Sequence, residues 1–145
     1  MPLRRRRTAP KIRAVRTARD LIEEAKKKIT LLPCEEARRR LEEGGNPTVL
    51  IDVREEVEYE MVRLGGSVHI PRGVLEIMVE HEYPDRSTPI LLYCAKGDRS
   101  ALAALALQSL GYGNVASIDG GLHAWREKGF SILIPSQQQG PGSGI

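Results

Sequence analysis

Residues 91–107 read LLYCAKGDRSALAALAL and change in character twice. The apolar residues at 89–93 form a compact run, which is typical of a strand buried on both faces. An Ala/Leu-rich stretch over residues 100–110 predicts a helix, and the GYG sequence at 111–113 ends it. Between strand and helix lies a short polar loop that starts at Cys94. The sequence therefore predicts a strand, a loop and a helix in succession, with a cysteine where the strand ends.

Similar apolar runs recur on both sides of this segment. Residues 48–53 and 115–118 are compact and apolar, and residues 29–32 and 67–70 are typical of shorter extended pieces. Helical patterns separate the strands. They cover residues 17–28, CEEARRRLEE after Pro33, residues 55–63, residues 73–81 and LHAWREKG at 122–129. Strands that alternate with helices imply crossover connections, so we expect an α/β fold with a mainly parallel sheet.

Three of the predicted strands end in residues of chemical interest. Asp52 and Arg54 follow one strand, Cys94 follows a second, and Gly120 and Gly121 follow a third. Ligands of open parallel sheets bind at the carboxyl ends of the strands. The sequence therefore predicts one site to which all three strand ends contribute.

The surroundings of Cys94 favour a nucleophile. Backbone N–H groups of a loop before a helix can converge on an anion, and the helix adds partial positive charge at its start. Lys96 and Arg99 add full charges, and the thiolate that this field favours is the nucleophilic form of cysteine. The alternative is a small buried side chain at a strand end, which is common for free cysteine. Cys34 has no comparable loop, and we interpret it as structural or incidental.

Four motifs, in order along the chain, make the sequence similar to the rhodanese family over residues 29–134. They are DVRE with EY shortly after (52–59), HIPRG with LE (69–76), YCAKGDRSA (93–101), and GG, AW and G (120–129). The resemblance implies a five-stranded, mainly parallel sheet with helices on both faces. The stretch RLGGSV at 63–68 departs from the usual family pattern, and this concerns a local turn before a strand.

The resemblance also implies an activity. Cys94 would accept a sulfane sulfur from a small anionic donor such as thiosulfate and become a persulfide. It would then pass the sulfur to a thiophilic acceptor, either cyanide or a thiol. Such a sulfurtransferase needs no cofactor besides the sulfur held covalently on Cys94.

The residues expected to act at this site fall into two groups. Cys94 and Arg99 are the expected catalytic residues. Those expected to bind substrate are Ala95, Lys96, Gly97, Asp98, Ser100, Asp52 and Arg54. Asp52 and Arg54 have an alternative interpretation as an internal ion pair that braces the loops. Asp98 either weakens the positive field at Cys94 or pairs with a neighbouring cation, and the sequence leaves both open.

Three other functions compete with sulfur transfer. In the active loops of cysteine phosphatases, and of arsenate reductases with a similar loop, five residues separate the cysteine from an arginine. Here four residues separate Cys94 from Arg99. The shorter loop fits a smaller sulfur species better than a phosphoryl group. A non-catalytic binding module on the same scaffold usually lacks the loop cysteine, and this chain has it.

Charge divides the chain into segments. With 145 residues, 41% of them hydrophobic and 28% charged, the chain suits a single globular domain. The net charge of +3 combines +8 over residues 1–28 with −5 over the remainder. We expect a basic extension at 1–28, disordered and then helical, a domain at 29–134, and a flexible tail at 135–145. The extension is either a solvated segment, a remnant of an organellar transit peptide, or a segment that binds an RNA, a membrane surface or an acidic partner.

Further expectations concern location and metals. No apolar run approaches about 18 residues, so we expect no membrane span. No apolar stretch of signal-peptide length follows the N-terminal arginines, and with only two cysteines we expect a reducing, cytoplasmic location. His69, His81 and His123 lack metal-ligand spacing, and we expect no metal.

Overall fold

The computed structural model describes residues 15–138, and within them the chain folds around a sheet of five strands. Every neighbouring pair of strands is parallel, and their order is β1-β5-β4-β2-β3. The bounds are β1 Thr30–Leu32, β2 Val49–Asp52, β3 Val68–His69, β4 Ile90–Tyr93 and β5 Val115–Ile118. The predicted parallel α/β sheet of five strands is confirmed.

Helices connect these strands, as parallel strands require. Their bounds are α1 Ala18–Lys28, α2 Cys34–Glu42, α3 Glu56–Met61, α4 Leu75–Glu82, α5 Asp98–Ser109, α6 Gly121–Glu127 and α7 Pro135–Gln138, with a 3-10 turn at Arg72–Val74 before α4. The region predicted as one helical stretch at 73–81 is thus a 3-10 turn followed by α4.

The central strand β4 is buried on both faces, and its alternate residues belong to two different cores. Leu92 packs with residues of α4 and α5 on one face of the sheet. Leu91 and Tyr93 pack with residues of α2 and α6 on the other face, where Trp125 is also buried. The two-residue period of a strand therefore divides the run ILLY between both layers of helices.

Helix α5 lies between the sheet and α1. Ala101, Ala103 and Ala104 are completely buried, and their small side chains let the helix approach its neighbours closely. On the outer side, α1 packs against α5 through Ile22 and Ala25. The helical part of the predicted 1–28 extension is therefore docked on the domain. Its predicted disordered part lies outside the described residues up to position 14.

The other end of the chain also differs from the sequence-based expectation. Residues 135–138, predicted to belong to a flexible tail, form the short helix α7, and the remaining tail residues lie outside the described part. Before α7, Arg63 and Leu133 form an antiparallel bridge. The unusual stretch at 63–68 is a turn with Gly66 at a φ of +78°, so its glycine content is explained locally.

Among residues 15–138, the structure contains no helix with both the length and the apolar character needed to cross a membrane.

The docking of α1 leads to a stability prediction. Ile22 is 9% exposed, whereas its neighbour Leu21 is 48% exposed. We expect Ile22→Ala to lower the free energy of unfolding by about 2 kcal/mol, because it removes a packed side chain. Leu21→Ala, the matched control, should change it by less than about 0.5 kcal/mol. Urea unfolding measures both, and equal effects would mean that α1 is not packed on the domain.

Candidate active site

The site is built on the loop between β4 and α5. Cys94 directly follows β4 and is 1% exposed. The backbone N–H groups of Gly97 and Ser100 donate to its Sγ over 3.1 Å and 3.4 Å. The loop thus wraps around the sulfur with its amides directed inward, as predicted. Amides aimed at a sulfur atom, at the start of a twelve-residue helix, favour a negative charge there.

Two serine hydroxyls extend this arrangement behind the sulfur. Ser100 Oγ lies 3.4 Å from Cys94 Sγ and 2.7 Å from Ser117 Oγ, and both serines are completely buried. If Ser117 donates to Ser100, the Ser100 hydroxyl can donate to the sulfur. Ser117 is not among the predicted site residues, although it is the polar residue within the otherwise apolar run VASI of β5.

The shape of the loop depends on the turn before α6. The N–H groups of Leu122 and His123 donate to the carbonyl oxygens of Cys94 and Ala95, both over 2.9 Å. This close approach requires glycine. A Cβ on Gly121, whose φ is +56°, would lie 2.5 Å from the Cys94 oxygen. The third strand end predicted to join the site therefore contributes backbone contacts.

Both charged residues at the start of α5 have partners elsewhere in the fold. The guanidinium of Arg99 binds both carboxylate oxygens of Glu58, over 2.7 Å and 3.1 Å. This contact lowers the pKa of Glu58 and raises the pKa of Arg99. Asp98 is paired with Arg19 and Lys26, and the hydrogen bond from Arg19 is the largest cause that lowers the Asp98 pKa. The pairing alternative for Asp98 is thus the one seen, with cations from α1.

Asp52 and Arg54 form the internal ion pair that was one of their two interpretations. Arg54 Nη2 lies 2.8 Å from Asp52 Oδ2, and the two side chains are 3% and 0% exposed. Arg54 also donates to the Val62 carbonyl, while its own carbonyl bonds His69 Nε2 over 2.7 Å. Substrate binding by Asp52 and Arg54 is therefore not retained. Their side chains are buried and satisfied within the protein, and they brace the segments that follow β2.

The second cysteine has a different environment. Both cysteines are free, and Cys34 is 3% exposed at the start of α2. Its thiol donates to the Asp119 carbonyl, with 3.8 Å between Sγ and the oxygen, and burial raises the pKa of the Cys34 thiol. Because a raised pKa disfavours the thiolate at neutral pH, this environment fits the structural interpretation.

No group of three or more His, Cys, Asp or Glu side chains arranged to hold a metal occurs in the described part of the chain.

Lys96 is exposed beside a shallow hollow of about 210 Å³, which Ala95, Leu122, His123 and Arg126 also line. Of the loop residues predicted to bind substrate, Gly97 and Ser100 contact Cys94 Sγ, whereas Ala95 and Lys96 line this hollow and Asp98 is paired with α1.

Comparison with known proteins identifies the family. The Rhodanese-like domain family matches residues 33–128, which is well over half of the chain. The chain is a member of the rhodanese-like domain family. Helix α1 lies outside the matched segment.

Individual relatives have related names. A thiosulfate sulfurtransferase of Pseudomonas fluorescens is 32% identical over 95 residues, covering 66% of this chain and 83% of that protein. An adenylyltransferase and sulfurtransferase of Ogataea parapolymorpha is 38% identical over 76 residues, which cover 52% of this chain. This rhodanese-like chain spans only about a fifth of the length of that relative and of similar long relatives.

Two solved structures resemble the chain along most of its length. The homodimeric polysulfide-sulfur transferase of Wolinella succinogenes has a TM-score of 0.69 and 28% identity, covering 81% of this chain and 88% of that one. A Rhodopseudomonas palustris protein of unknown function, described as a possible tyrosine phosphatase, has a TM-score of 0.71 and 31% identity. It covers 87% of this chain and 100% of its own.

The glycine turn yields a second prediction. We expect Gly121→Ala to lower the free energy of unfolding by more than about 2 kcal/mol, because the new Cβ would collide with the Cys94 carbonyl. The rate of Cys94 alkylation should change as well, since the loop must move. Gly129→Ala is the matched control: its φ is +75° and no atom lies within 4 Å of the added Cβ.

That control should cost only about 1 kcal/mol of backbone strain and leave alkylation unaltered. Urea unfolding and iodoacetamide kinetics on both variants make the comparison. Equal behaviour of the two variants would mean that the close approach of Gly121 does not shape the loop.

Proposed function

We propose that this protein is a sulfurtransferase that carries sulfur as a persulfide on Cys94. The observation that carries the proposal is the pair of amides, from Gly97 and Ser100, that donate to the sulfur of a cysteine at the end of β4. Membership of the rhodanese-like family and the names of its relatives support the same class of reaction.

The first step is attack by the Cys94 thiolate on a sulfane sulfur. With thiosulfate as donor, a bond forms between Cys94 Sγ and the outer sulfur of thiosulfate. The sulfur–sulfur bond of the donor breaks, and sulfite leaves with the electron pair. The product is a persulfide whose terminal sulfur carries the negative charge. Inward-pointing amides and the start of α5 stabilise this charge where it resides.

The second step returns the cysteine to its starting state. A nucleophilic acceptor, cyanide or a thiolate, attacks the terminal sulfur of the persulfide. The bond between the two sulfurs breaks, and its electrons remain on Cys94 as the thiolate. Thiocyanate or a new persulfide is released, so the cycle needs neither an oxidant nor a cofactor.

The low exposure of Cys94 favours small substrates. Only 1% of the residue is exposed, so an approaching donor must present its reactive atom at the end of a narrow group. The exposed ammonium of Lys96 is suited to attract an anion to the mouth of the loop, and it would act as a mobile point charge. A small dianion such as thiosulfate meets both requirements.

Phosphate-ester hydrolysis is the competing activity. We consider phosphate-ester hydrolysis because one similar structure is described as a possible tyrosine phosphatase. The pairing of Arg99 argues against phosphatase activity. Its guanidinium binds both carboxylate oxygens of Glu58, and the same two nitrogens would be needed to bind a phosphate group. We therefore favour sulfur transfer.

Intact mass spectrometry tests the proposed reaction directly. After thiosulfate treatment we expect the protein to gain one sulfur atom and to lose it on addition of cyanide. Cys94→Ala should not gain the sulfur, because the nucleophile is absent. Cys34→Ala should still gain it, because Cys94 is retained and the loop amides donate to Cys94 and not to Cys34.

Two results would contradict the proposal. The absence of any mass gain in the wild-type protein, with the fold intact, would favour a non-catalytic binding module. Hydrolysis of a phosphate ester that depends on Cys94 would favour the phosphatase.

The pairing of Arg99 with Glu58 yields a separate prediction. Arg99→Gln should move alkylation of Cys94 by neutral iodoacetamide to higher pH, because it removes a cation and leaves a carboxylate without its partner. Glu58→Gln should move it to lower pH, because Arg99 then keeps its full charge. We expect rate changes of roughly threefold at neutral pH, as the pair is partly exposed.

The pH dependence of the alkylation rate in the three proteins provides the measurement. If neither substitution moves the profile, the loop amides and helix α5 stabilise the thiolate by themselves, and Arg99 has no electrostatic role.

A further inference from the structure

Helix α1 reaches the active-site loop although it lies outside the segment matched by the family. Arg19 donates from both terminal nitrogens to the Asp98 carboxylate, over 3.2 Å and 2.9 Å. Lys26 Nζ lies 3.2 Å from the same carboxylate. Two cations of α1 thus converge on one acidic residue of the loop.

The position of α1 is fixed by its own contacts. Thr17 caps the helix through reciprocal hydrogen bonds with Asp20. Ile22 and Ala25 are buried, and they hold the helix against α5. Arg19 and Lys26 lie three positions before and one position after these anchors, so the packing of the helix delivers both cations to Asp98.

Asp98 is the first residue of α5, directly after the loop that surrounds the sulfur. Asp98 follows Gly97, whose N–H donates to Cys94 Sγ over 3.1 Å. An unpaired carboxylate at this position would oppose negative charge on the sulfur. The two other cations of this region, Lys96 and Arg99, do not pair with the Asp98 carboxylate. Arg99 is bound to Glu58, and Lys96 is exposed to water.

We propose that α1 is part of the active site and that Arg19 and Lys26 are positioning residues. They hold the Asp98 carboxylate and cancel its charge, so that the loop amides act on the Cys94 thiolate without opposition. The proposal rests on the proposed function only in that Cys94 acts as a thiolate. Its test is alkylation in the absence of any sulfur donor, so it can fail while sulfur transfer stands, and the reverse.

The experiment uses the full chain with paired substitutions. In the double variant Arg19→Gln/Lys26→Gln, we expect iodoacetamide to alkylate Cys94 about threefold more slowly at neutral pH. The pH profile, meaning the alkylation rate of Cys94 as a function of pH, should move as a whole to higher pH. Adding Asp98→Asn to this variant should restore the wild-type profile, because the uncompensated charge is then gone. In wild-type protein, Asp98→Asn alone should move the profile to lower pH. Glutamine preserves helix propensity, so α1 should remain formed.

A control on the same helix separates local pairing from general charge. Lys27→Gln/Lys28→Gln also removes two positive charges from α1, but Lys28 pairs with Glu24 and neither lysine contacts Asp98 among the described residues. This control should leave the profile unchanged. The single variants Arg19→Gln and Lys26→Gln should each give part of the shift, and Arg19 is exposed enough that its replacement leaves the core intact.

Three results would overturn the proposal. The first is an unchanged profile in Arg19→Gln/Lys26→Gln. The second is an equal shift in the lysine control, which would assign the effect to overall charge. The third is a shift that Asp98→Asn does not reverse, which would assign it to altered packing of α1. High salt should reduce the difference between the variant and the wild type, since the screening length falls to about 3 Å at 1 M.

Discussion

The carbonyl oxygens of Cys94 and Ala95 accept hydrogen bonds from the first turn of α6, and the rest of the site depends on this contact. These two hydrogen bonds hold the start of the loop against α6, and the amides of Gly97 and Ser100, further along the chain, donate to Cys94 Sγ. The close approach requires glycine at position 121, because a Cβ there would lie 2.5 Å from the Cys94 oxygen. A turn distant in the sequence thereby holds the first residues of the loop in place.

The features of the fold that the sequence predicts are those that leave a local pattern in it. Apolar runs at 89–93 and 115–118 identify the central strands, because strands buried on both faces leave a local pattern. The loop cysteine and the paired glycines are also local signals, and they identified the backbone of the site. Helix α1 was predicted from its own periodicity, but its docking was not, because nothing in its sequence states which surface its apolar stripe covers.

The charges of the site could not be assigned from sequence. Arg99 finds its carboxylate partner 41 positions away, and Asp98 finds Arg19 at a separation of 79 positions. The sequence predicts Arg99 as a catalytic cation and Lys96 as a substrate-binding cation, but it does not indicate that Arg99 is paired with Glu58 while Lys96 is exposed. Asp52 and Arg54 looked suited to a pocket mouth, but their two-residue spacing at the end of β2 lets them pair with one another inside the protein. Such pairings follow from the packing of distant elements.

The enclosure of Cys94 has a thermodynamic consequence. Its sulfur has hydrogen-bond partners on several sides, and only the folded chain supplies them. An atom bonded to this sulfur therefore meets a shaped, polar environment in the native state and only water in the unfolded state. A modification with different free energies in these two environments must change the free energy of unfolding by the same difference. The group bonded to the Cys94 sulfur and the stability of the fold are thus linked. A melting temperature therefore reports whether the cysteine is free or modified.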